Sequence, residues 1–434
     1  MYLSNPQAMS NKILHTSGLP LIGHSISFYF DALSHVSKLQ EKYGDIFSMN
    51  VLNRKVHVFL TPDITKKVFL DVNNNFSSEL GWSFSLGPAF KNGLMLRDFD
   101  DHKYHRGIMQ HAFRRDALEQ YLSLMEPLIS KWIEEIKKKR EIDLYQEVKS
   151  LTLELAFVVF FGDSTEENKV NLGNFFTDAI RSATTPVRLN LPYTGYRKGI
   201  KAREELMKYF TEQYEKIEIG SDRKDLFYEL CTAVDTDGNL LNREEVAQHM
   251  IFLLLAAHDT TTSTISNSLW FLANDLDWKE KILKEFTGLN SLDITSLKKA
   301  ELMEALFKEA IRLYPPVPIS PRGIVKDCEV SNYRLKKDSI IAVSPLMIHR
   351  DGRYWENPNE FLPARFLNKY DEGLYFPFAG GAHTCLGKFF ASYLFKNIVG
   401  SFVSEINFKR GVDDVQISTV PIPFPKSDMI LFVD

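Results

Sequence analysis

The stretch that decides this chain is Phe378-Ala379-Gly380-Gly381-Ala382-His383-Thr384-Cys385-Leu386-Gly387. It sets one cysteine in a glycine-rich loop, just before an apolar segment that reads as a helix. A helix starting at Cys385 would aim backbone N–H groups and the positive end of its dipole at the sulfur, which lowers a thiol's pKa. Gly380, Gly381 and Gly387 allow tight turns and close approach of the backbone to a flat partner. Phe378 is placed to cover the sulfur and keep water from it. The bland alternative is a buried structural cysteine in a glycine-rich turn.

The spacing carries more than the residue types do. Phe378, Gly381, His383, Cys385 and Gly387 follow one another at intervals of three, two, two and two. This resembles the haem-ligand signature of the cytochrome P-450 superfamily. The resemblance implies haem b (iron protoporphyrin IX), with Cys385 as the thiolate ligand of the iron and His383 reaching a propionate. A thiolate axial ligand pushes electron density toward O–O cleavage.

A second motif lies upstream, Ala256-Ala257-His258-Asp259-Thr260-Thr261. It resembles the family's oxygen-activation motif, small-Gly-x-acid-Thr. That chemistry needs two protons delivered to dioxygen without flooding the site. Thr260 can hydrogen-bond back to the carbonyl of Ala256, bending the helix and opening a turn to water. Asp259 links the turn to solvent protons, and Ala256 is small enough to leave room above the iron. Ala257 departs from the family's frequent Gly and narrows the backbone groove. His258 is read as pointing off the haem face and is given no role. Without the Cys385 loop, the same residues would describe a threonine-bonded kink in a core helix.

Three further pieces fall in family order. In Glu309-Ala310-Ile311-Arg312 the carboxylate and guanidinium share a helix face. The family joins such a pair to a later arginine, here Arg365 in Pro358-Asn359-Glu360-Phe361-Leu362-Pro363-Ala364-Arg365-Phe366, as a structural network beneath the haem pocket. His102-Lys103-Tyr104-His105-Arg106 resembles the family's Trp-x-x-x-Arg with His in place of Trp. Arg322 follows the Glu309 helix. Carboxylates favour bidentate arginine partners, so His102, Arg106, Arg322 and His383 are the expected propionate set. Taken singly, each reads as a solvated surface cation.

Bulk properties agree. The chain has 434 residues, with 52 lysines and arginines against 56 acids, and this near-balance excludes nucleic acid as the main partner. Cys231, Cys328 and Cys385 are the three cysteines, too few and odd in number for a disulfide framework. No linker, repeat or low-complexity run divides the sequence, so one domain over residues 1–434 is expected. The first 18 residues hold no apolar run of signal-peptide or membrane-span length, which leads to the expectation of a soluble, cytoplasmic protein without a transmembrane anchor.

Periodicity predicts a mainly α protein with a minor β region. Segments 46–51 and 56–60 alternate like strands, and Leu33, Val36 and Leu39 recur at helical spacing. Residues 116–161 hold two or more core helices. No Gly or Pro occurs between Gly238 and Gly288, which predicts one long helix over 242–276, roughly 50 Å at 1.5 Å per residue. In the P-450 fold that the resemblance implies, haem lies between this long distal helix and the proximal Cys-loop helix.

The resemblance further implies monooxygenation driven by NAD(P)H, one oxygen atom entering the substrate and the other leaving as water. Electrons would come from a separate ferredoxin/ferredoxin reductase or flavodoxin-type partner, docking near Lys103, Arg114, Arg115 and Lys388. Residues 78–94, 186–196, 253–256, 317–320 and 420–424 would line the pocket, with Trp82, Phe84, Phe90 and Phe424 among them. Such an apolar lining suits a lipophilic substrate. Residues 191–203 resemble the retinoid, sterol and brassinosteroid hydroxylase branch, which favours a retinoid, sterol, terpenoid or fatty-acid-like compound. Two alternatives stay open: a hydrogen-peroxide-dependent peroxygenase and a non-enzymatic haem sensor. The Asp259–Thr260 pair weighs against both, and the lack of Arg on that helix stretch weighs against the peroxygenase.

Overall fold

Apolar spacing of three and four builds most of this molecule, and the strands are short and peripheral. The computed structural model describes residues 12–20, 22–51, 54–162, 166–185, 188–235 and 237–434. Residues 1–11, Leu21, Leu52, Asn53 and Pro186, all in segments discussed above, lie outside them, as does the side chain of Leu255.

The helices run in chain order. The first six are α1 (Ser25–Tyr43), α2 (Pro62–Leu70), α3 (Ser78–Phe90), α4 (Phe99–Met109), α5 (Arg115–Ile136) and α6 (Leu144–Phe161). Next come α7 (Glu166–Thr184), α8 (Gly195–Tyr214), α9 (Leu226–Thr232), α10 (Arg243–Leu272) and α11 (Leu276–Thr287). The last four are α12 (Ile294–Leu297), α13 (Glu301–Leu313), α14 (Pro345–His349) and α15 (Lys388–Glu405). Helix α5 buries Leu118, Tyr121, Leu122, Met125, Ile129, Trp132 and Ile136, the stripe legible in the sequence.

Helix α10 is the axis. Asn242 caps it in a full capping box with Glu245. It runs about 45 Å and stops at Leu272 rather than continuing to 276. The stop has a local cause: the Asp275 carboxylate accepts from the N–H of Trp278 and starts α11. Around α10 pack α6, α8, α13 and α15, and their apolar faces form the main core.

The largest sheet has six strands, β1 (Leu14–Thr16), β2 (Ile46–Val51), β3 (Arg54–Phe59), β4 (Phe76–Ser77), β6 (Ser320–Ile324) and β9 (Ile340–Val343), ordered β1-β2-β3-β9-β6-β4. The expected pair β2/β3 is antiparallel, with Ile46 opposite Phe59. Between them in sequence come β5 (Glu141–Asp143), β7 (Cys328–Val330) and β8 (Tyr333–Leu335); β7 and β8 form a hairpin. The C-terminal strands are β10 (Phe408–Arg410), β11 (Ile417–Ser418), β12 (Phe424–Pro425) and β13 (Ile430–Val433). A second core lies between the six-stranded sheet and α2, where Phe59, Ile64, Val68 and Ile341 meet.

Candidate active site

The loop before α15 turns through a short 3-10 segment, Gly381–His383. Gly381 has φ +61°, and a Cβ there would stand 2.1 Å from the carbonyl oxygen of Phe69 in α2. No larger residue fits without moving α2. Gly387 is under no such constraint: its φ is −89°, and a Cβ would meet a Phe113 ring carbon at an ordinary 3.6 Å. The N–H of Cys385 donates to the carbonyl of Phe378 at 3.0 Å and closes the loop.

Helix α15 begins at Lys388 with Gly387 as its N-cap, so Cys385 precedes the helix instead of opening it. The expectation of a thiol ionised by the helix is corrected accordingly. Burial pushes the Cys385 thiol above its ordinary value; a hydrogen bond from Gly387 N–H and the charges of Arg106 and Lys388 offset part of this. Cys385 is nonetheless solvent-accessible. Such a sulfur becomes a thiolate on meeting a metal ion, because coordination deprotonates a thiol outright.

Four basic side chains gather at this loop. The His102 and His383 rings lie 4.0 Å apart, centroid to centroid, and tilted by 36°. Burial, together with Arg106 and Arg322 nearby, lowers their pKa values to about 4 and about 2. Both imidazoles are therefore neutral at pH 7 and each carries one ring N–H to offer, in place of the cations expected from sequence. Arg322, on β6, is 4% exposed. Burial lowers its pKa to about 10, although Asp98 and Asp71 act the other way. Its one hydrogen bond among the described residues goes to the Pro321 carbonyl at 2.9 Å. Arg106, half-buried on α4, senses the charge of Cys385. Among the described residues neither guanidinium forms an ion pair.

On α10 the expected back-bond is present: Thr260 Oγ1 donates to the carbonyl of Ala256 at 2.6 Å. The same pattern repeats from Thr264 to Thr260 and from Ser268 to Thr264, each at 2.9 Å, and the helix stays α throughout. Ala256 is exposed although Leu254 and His258 beside it are buried. Asp259 is pushed up by burial, but the adjacent His258 ring and the charge of Lys149 bring it below the usual carboxylate range. His258, left without a role by sequence, lies with Nδ1 3.1 Å from Asp259 Oδ1 and Nε2 3.1 Å from the Lys149 carbonyl on α6.

Glu309 and Arg312 are fully buried on α13. Arg312 Nε and Nη2 donate to the Glu309 carboxylate at 2.7 and 2.8 Å, and Arg365 Nε donates to it at 3.1 Å. Arg312 also reaches the carbonyls of His349, Pro358 and Glu360 at 2.5, 2.9 and 3.0 Å. The expected triad is therefore assembled. Sequence missed its fourth member, His349. Nothing in the residues around it, Ile348 and Arg350, signals that it links this triad to the Cys loop.

A family model described as cytochrome P-450 matches residues 15–427. This chain is a cytochrome P-450. It is 31% identical over 435 residues to the protein named cytochrome P-450 136 in Mycobacterium tuberculosis, covering 96% of this chain and 88% of that one. It is 27% identical to cytochrome P-450 26B1 of Rattus norvegicus, covering 94% and 84%. The solved structure of retinoic acid-bound cyanobacterial CYP120A1 superposes with a TM-score of 0.89 at 23% identity, over 98% of this chain and 99% of that one, and so shares its fold.

As a P-450 the chain is a haem-dependent monooxygenase, and the residues present fit haem. A nearly buried arginine without an ion-pair partner is costly, and Arg322 is one; half-buried Arg106 and the His102 and His383 rings stand near the same loop. That set suits a group carrying two carboxylates, and the adjacent thiol suits its iron. The expected lining is revised at Phe90. Phe90 is 1% exposed and belongs to the core. Phe84 has two guanidiniums close to its ring, Arg54 at 4.8 Å and Arg188 at 4.7 Å from the centroid. Trp82 is half-buried, and Phe424 is exposed. Of the expected basic docking residues, Lys103, Arg114 and Arg115 are exposed.

Proposed function

We propose that this P-450 inserts one atom of dioxygen into a lipophilic acid of retinoid type, using electrons from a separate ferredoxin or flavodoxin-type donor. The whole chain acts as one catalytic domain. Haem, when bound, supplies the activation of dioxygen. Cys385 is its iron ligand, with Phe378 shielding the sulfur. Arg106, Arg322, His102 and His383 hold its propionates, and Arg322 would gain the counter-charge that it otherwise lacks.

On the distal side Ala256 leaves room for the substrate. Asp259, held ionised, exchanges protons with solvent, and Thr260 passes a proton inward from the turn it bonds at Ala256. The 2.6 Å Thr260–Ala256 bond beside Asp259 is the observation that carries this reading, because a peroxide-driven enzyme or a haem sensor has no use for a proton relay. Glu309, Arg312 and Arg365 keep the proximal loop in place.

Arg54 and Arg188 on Phe84 put two cations beside the apolar face of α3, which suits a carboxylate on a lipophilic body. The retinoic acid in the CYP120A1 structure supports the same class.

The test is a low-to-high-spin titration of the holoenzyme with all-trans-retinoic acid, retinol, a sterol, a monoterpene and a long-chain fatty acid. Retinoic acid is expected to shift the Soret band at the lowest concentration. A response confined to short polar compounds overturns the substrate reading. Turnover with hydrogen peroxide but none with dioxygen, NADPH and a ferredoxin system overturns the monooxygenase assignment.

A further inference from the structure

Two buried histidines stand outside the chemistry described so far. His105, on α4, is 2% exposed, and His249, on α10, is fully buried. His249 Nε2 and His105 Nδ1 lie 3.0 Å apart, a hydrogen bond between helices 144 residues apart in the chain. The other ring nitrogen of His105, Nε2, faces Asp101 Oδ1 at 3.4 Å and Glu245 Oε1 at 3.7 Å. Asp101 is exposed, so the chain of groups opens to solvent. Arg97, just before α4, donates from Nη1 to both Asp101 oxygens at 3.0 Å, and its Nη2 reaches Gln248 Oε1 on α10 at 3.4 Å.

One orphan atom fixes the direction of this chain. Among the described residues the buried Nδ1 of His249 has no hydrogen-bond partner. A neutral imidazole carries a single N–H. On Nδ1 that N–H would be buried without an acceptor, the costly arrangement; on Nε2 it is donated to His105 Nδ1. His105 then keeps its own proton on Nε2, toward the two carboxylates. The bridge runs from His249 to His105 to Asp101 and Glu245, and it requires both rings to be neutral.

The surroundings keep them so. Burial and the charge of Arg97 lower the His105 pKa, against Asp101 and Glu245, which raise it. Burial, His105 and Arg97 hold His249 well below its ordinary value. Tyr104 stands edge-on to the His105 ring at 5.2 Å, and His102 lies one turn back on α4. A proton taken up by His105 would turn an Nδ1–H toward the N–H of His249, which must then move its own proton to the orphan Nδ1 or lose the bond. Since the folded pKa of His105 lies below 6.5, the bridge is complete above that pH and is lost as pH falls through the folded value.

The bridge sits where it can hold the haem-side geometry. His105 is next to Arg106 and one helical turn from His102. His249 is seven residues before Ala256, on the same face of α10. We propose that His249, acting through His105, is a positioning residue: it holds α4, with the propionate partners His102 and Arg106, against α10, and a proton on His105 releases that grip. The proposal rests on the propionate reading given above.

The experiment is transfer of haem from the full-length holoenzyme to apomyoglobin at about pH 7.5 and about pH 5.5, with the ferrous–carbonyl spectrum checking that each variant is loaded. His249→Leu is expected to lose haem about tenfold faster than wild type at the higher pH. His249→Gln keeps a donor at the Nε2 position and should lose haem at close to the wild-type rate. His105→Asn keeps an acceptor at the Nδ1 position that does not titrate, so the acid acceleration of haem loss should be about tenfold smaller than in wild type. Nitrogen-15-labelled histidine in the diamagnetic ferrous–carbonyl form reads the bridge itself: the His249 proton should sit on Nε2 at the higher pH. Wild-type haem loss in His249→Leu, no rescue by His249→Gln, a wild-type pH profile in His105→Asn, or a His249 proton on Nδ1 each overturns the proposal. Arg106→Leu separates it from the reading beneath it. Faster haem loss in Arg106→Leu but not in His249→Leu rejects the bridge alone, whereas unchanged loss in Arg106→Leu rejects the propionate assignment and the bridge's role with it.

Discussion

The Nε2 atom of His349 accepts a hydrogen bond from the backbone N–H of Phe376 at 2.9 Å. Its Nδ1 donates to the carbonyl of Arg312 at 3.1 Å. One fully buried neutral imidazole therefore ties the Glu309–Arg312 pair to the strand of chain that leads into the Cys385 loop.

That bond dictates a protonation state. An imidazolium would turn an N–H toward the Phe376 N–H and lose the bond. Burial and the Arg312 charge lower the His349 pKa from 6.5 to about 3. The unfolded chain therefore binds the proton first as pH falls. The stabilisation is complete above 6.5, is lost progressively between 6.5 and 3, and is flat below. Thermal denaturation across this window should show a steeper acid loss for wild type than for His349→Phe. At neutral pH His349→Ala should cost about 2–4 kcal/mol, since it leaves two buried backbone groups unpaired; chemical denaturation measures this.

Glu309→Gln should be more damaging than its size suggests. It removes the one carboxylate that balances Arg312 and Arg365, and breaking a buried pair from one side costs about 3–5 kcal/mol. The expected readout is a lower denaturation midpoint and little haem incorporated. A midpoint equal to wild type would remove Glu309 from the supporting network.

Arg322→Leu should act with opposite sign on the two forms of the protein. Without haem, it removes a buried charge that lacks a counter-ion, so the apoprotein becomes more stable. With haem, it removes a charged propionate partner, and haem should leave about 10–100-fold faster. Transfer of haem to apomyoglobin and apoprotein melting check the two arms. Unchanged haem loss would sink the assignment.

Thr260→Ala should keep haem and the red-shifted ferrous–carbonyl Soret band while diverting reducing equivalents to peroxide. Product formed per NADPH is expected to fall about tenfold or more. Unchanged coupling would remove Thr260 from proton delivery. Cys385→Ala, in contrast, should abolish the red-shifted band itself.

Much of this site was legible in the chain because its parts are local. A cysteine among glycines, an acid before a threonine on a helix, and a Glu and Arg one turn apart each express their geometry within a few residues. The long helix was legible for the same reason: the stretch between Gly238 and Gly288 has no Gly or Pro to break it, though the side chain of Asp275 ended it early.

Other properties depend on the partners that distant segments supply. The Cys385 thiol is raised instead of lowered because α15 starts three residues later and the surrounding fold desolvates the sulfur. His102 and His383 are neutral because the fold buries them, with Arg106 and Arg322 beside them from α4 and β6 adding to the effect. His349 bridges α13 to the Cys loop, reaching Arg312 across 37 residues of sequence and Phe376 across 27. Sequence alone determined which chemical groups this protein has and which helix faces carry them. Charge state, burial and long-range hydrogen bonding were decided only by tertiary structure, because each is a property of the space around a group and not of its neighbours along the chain.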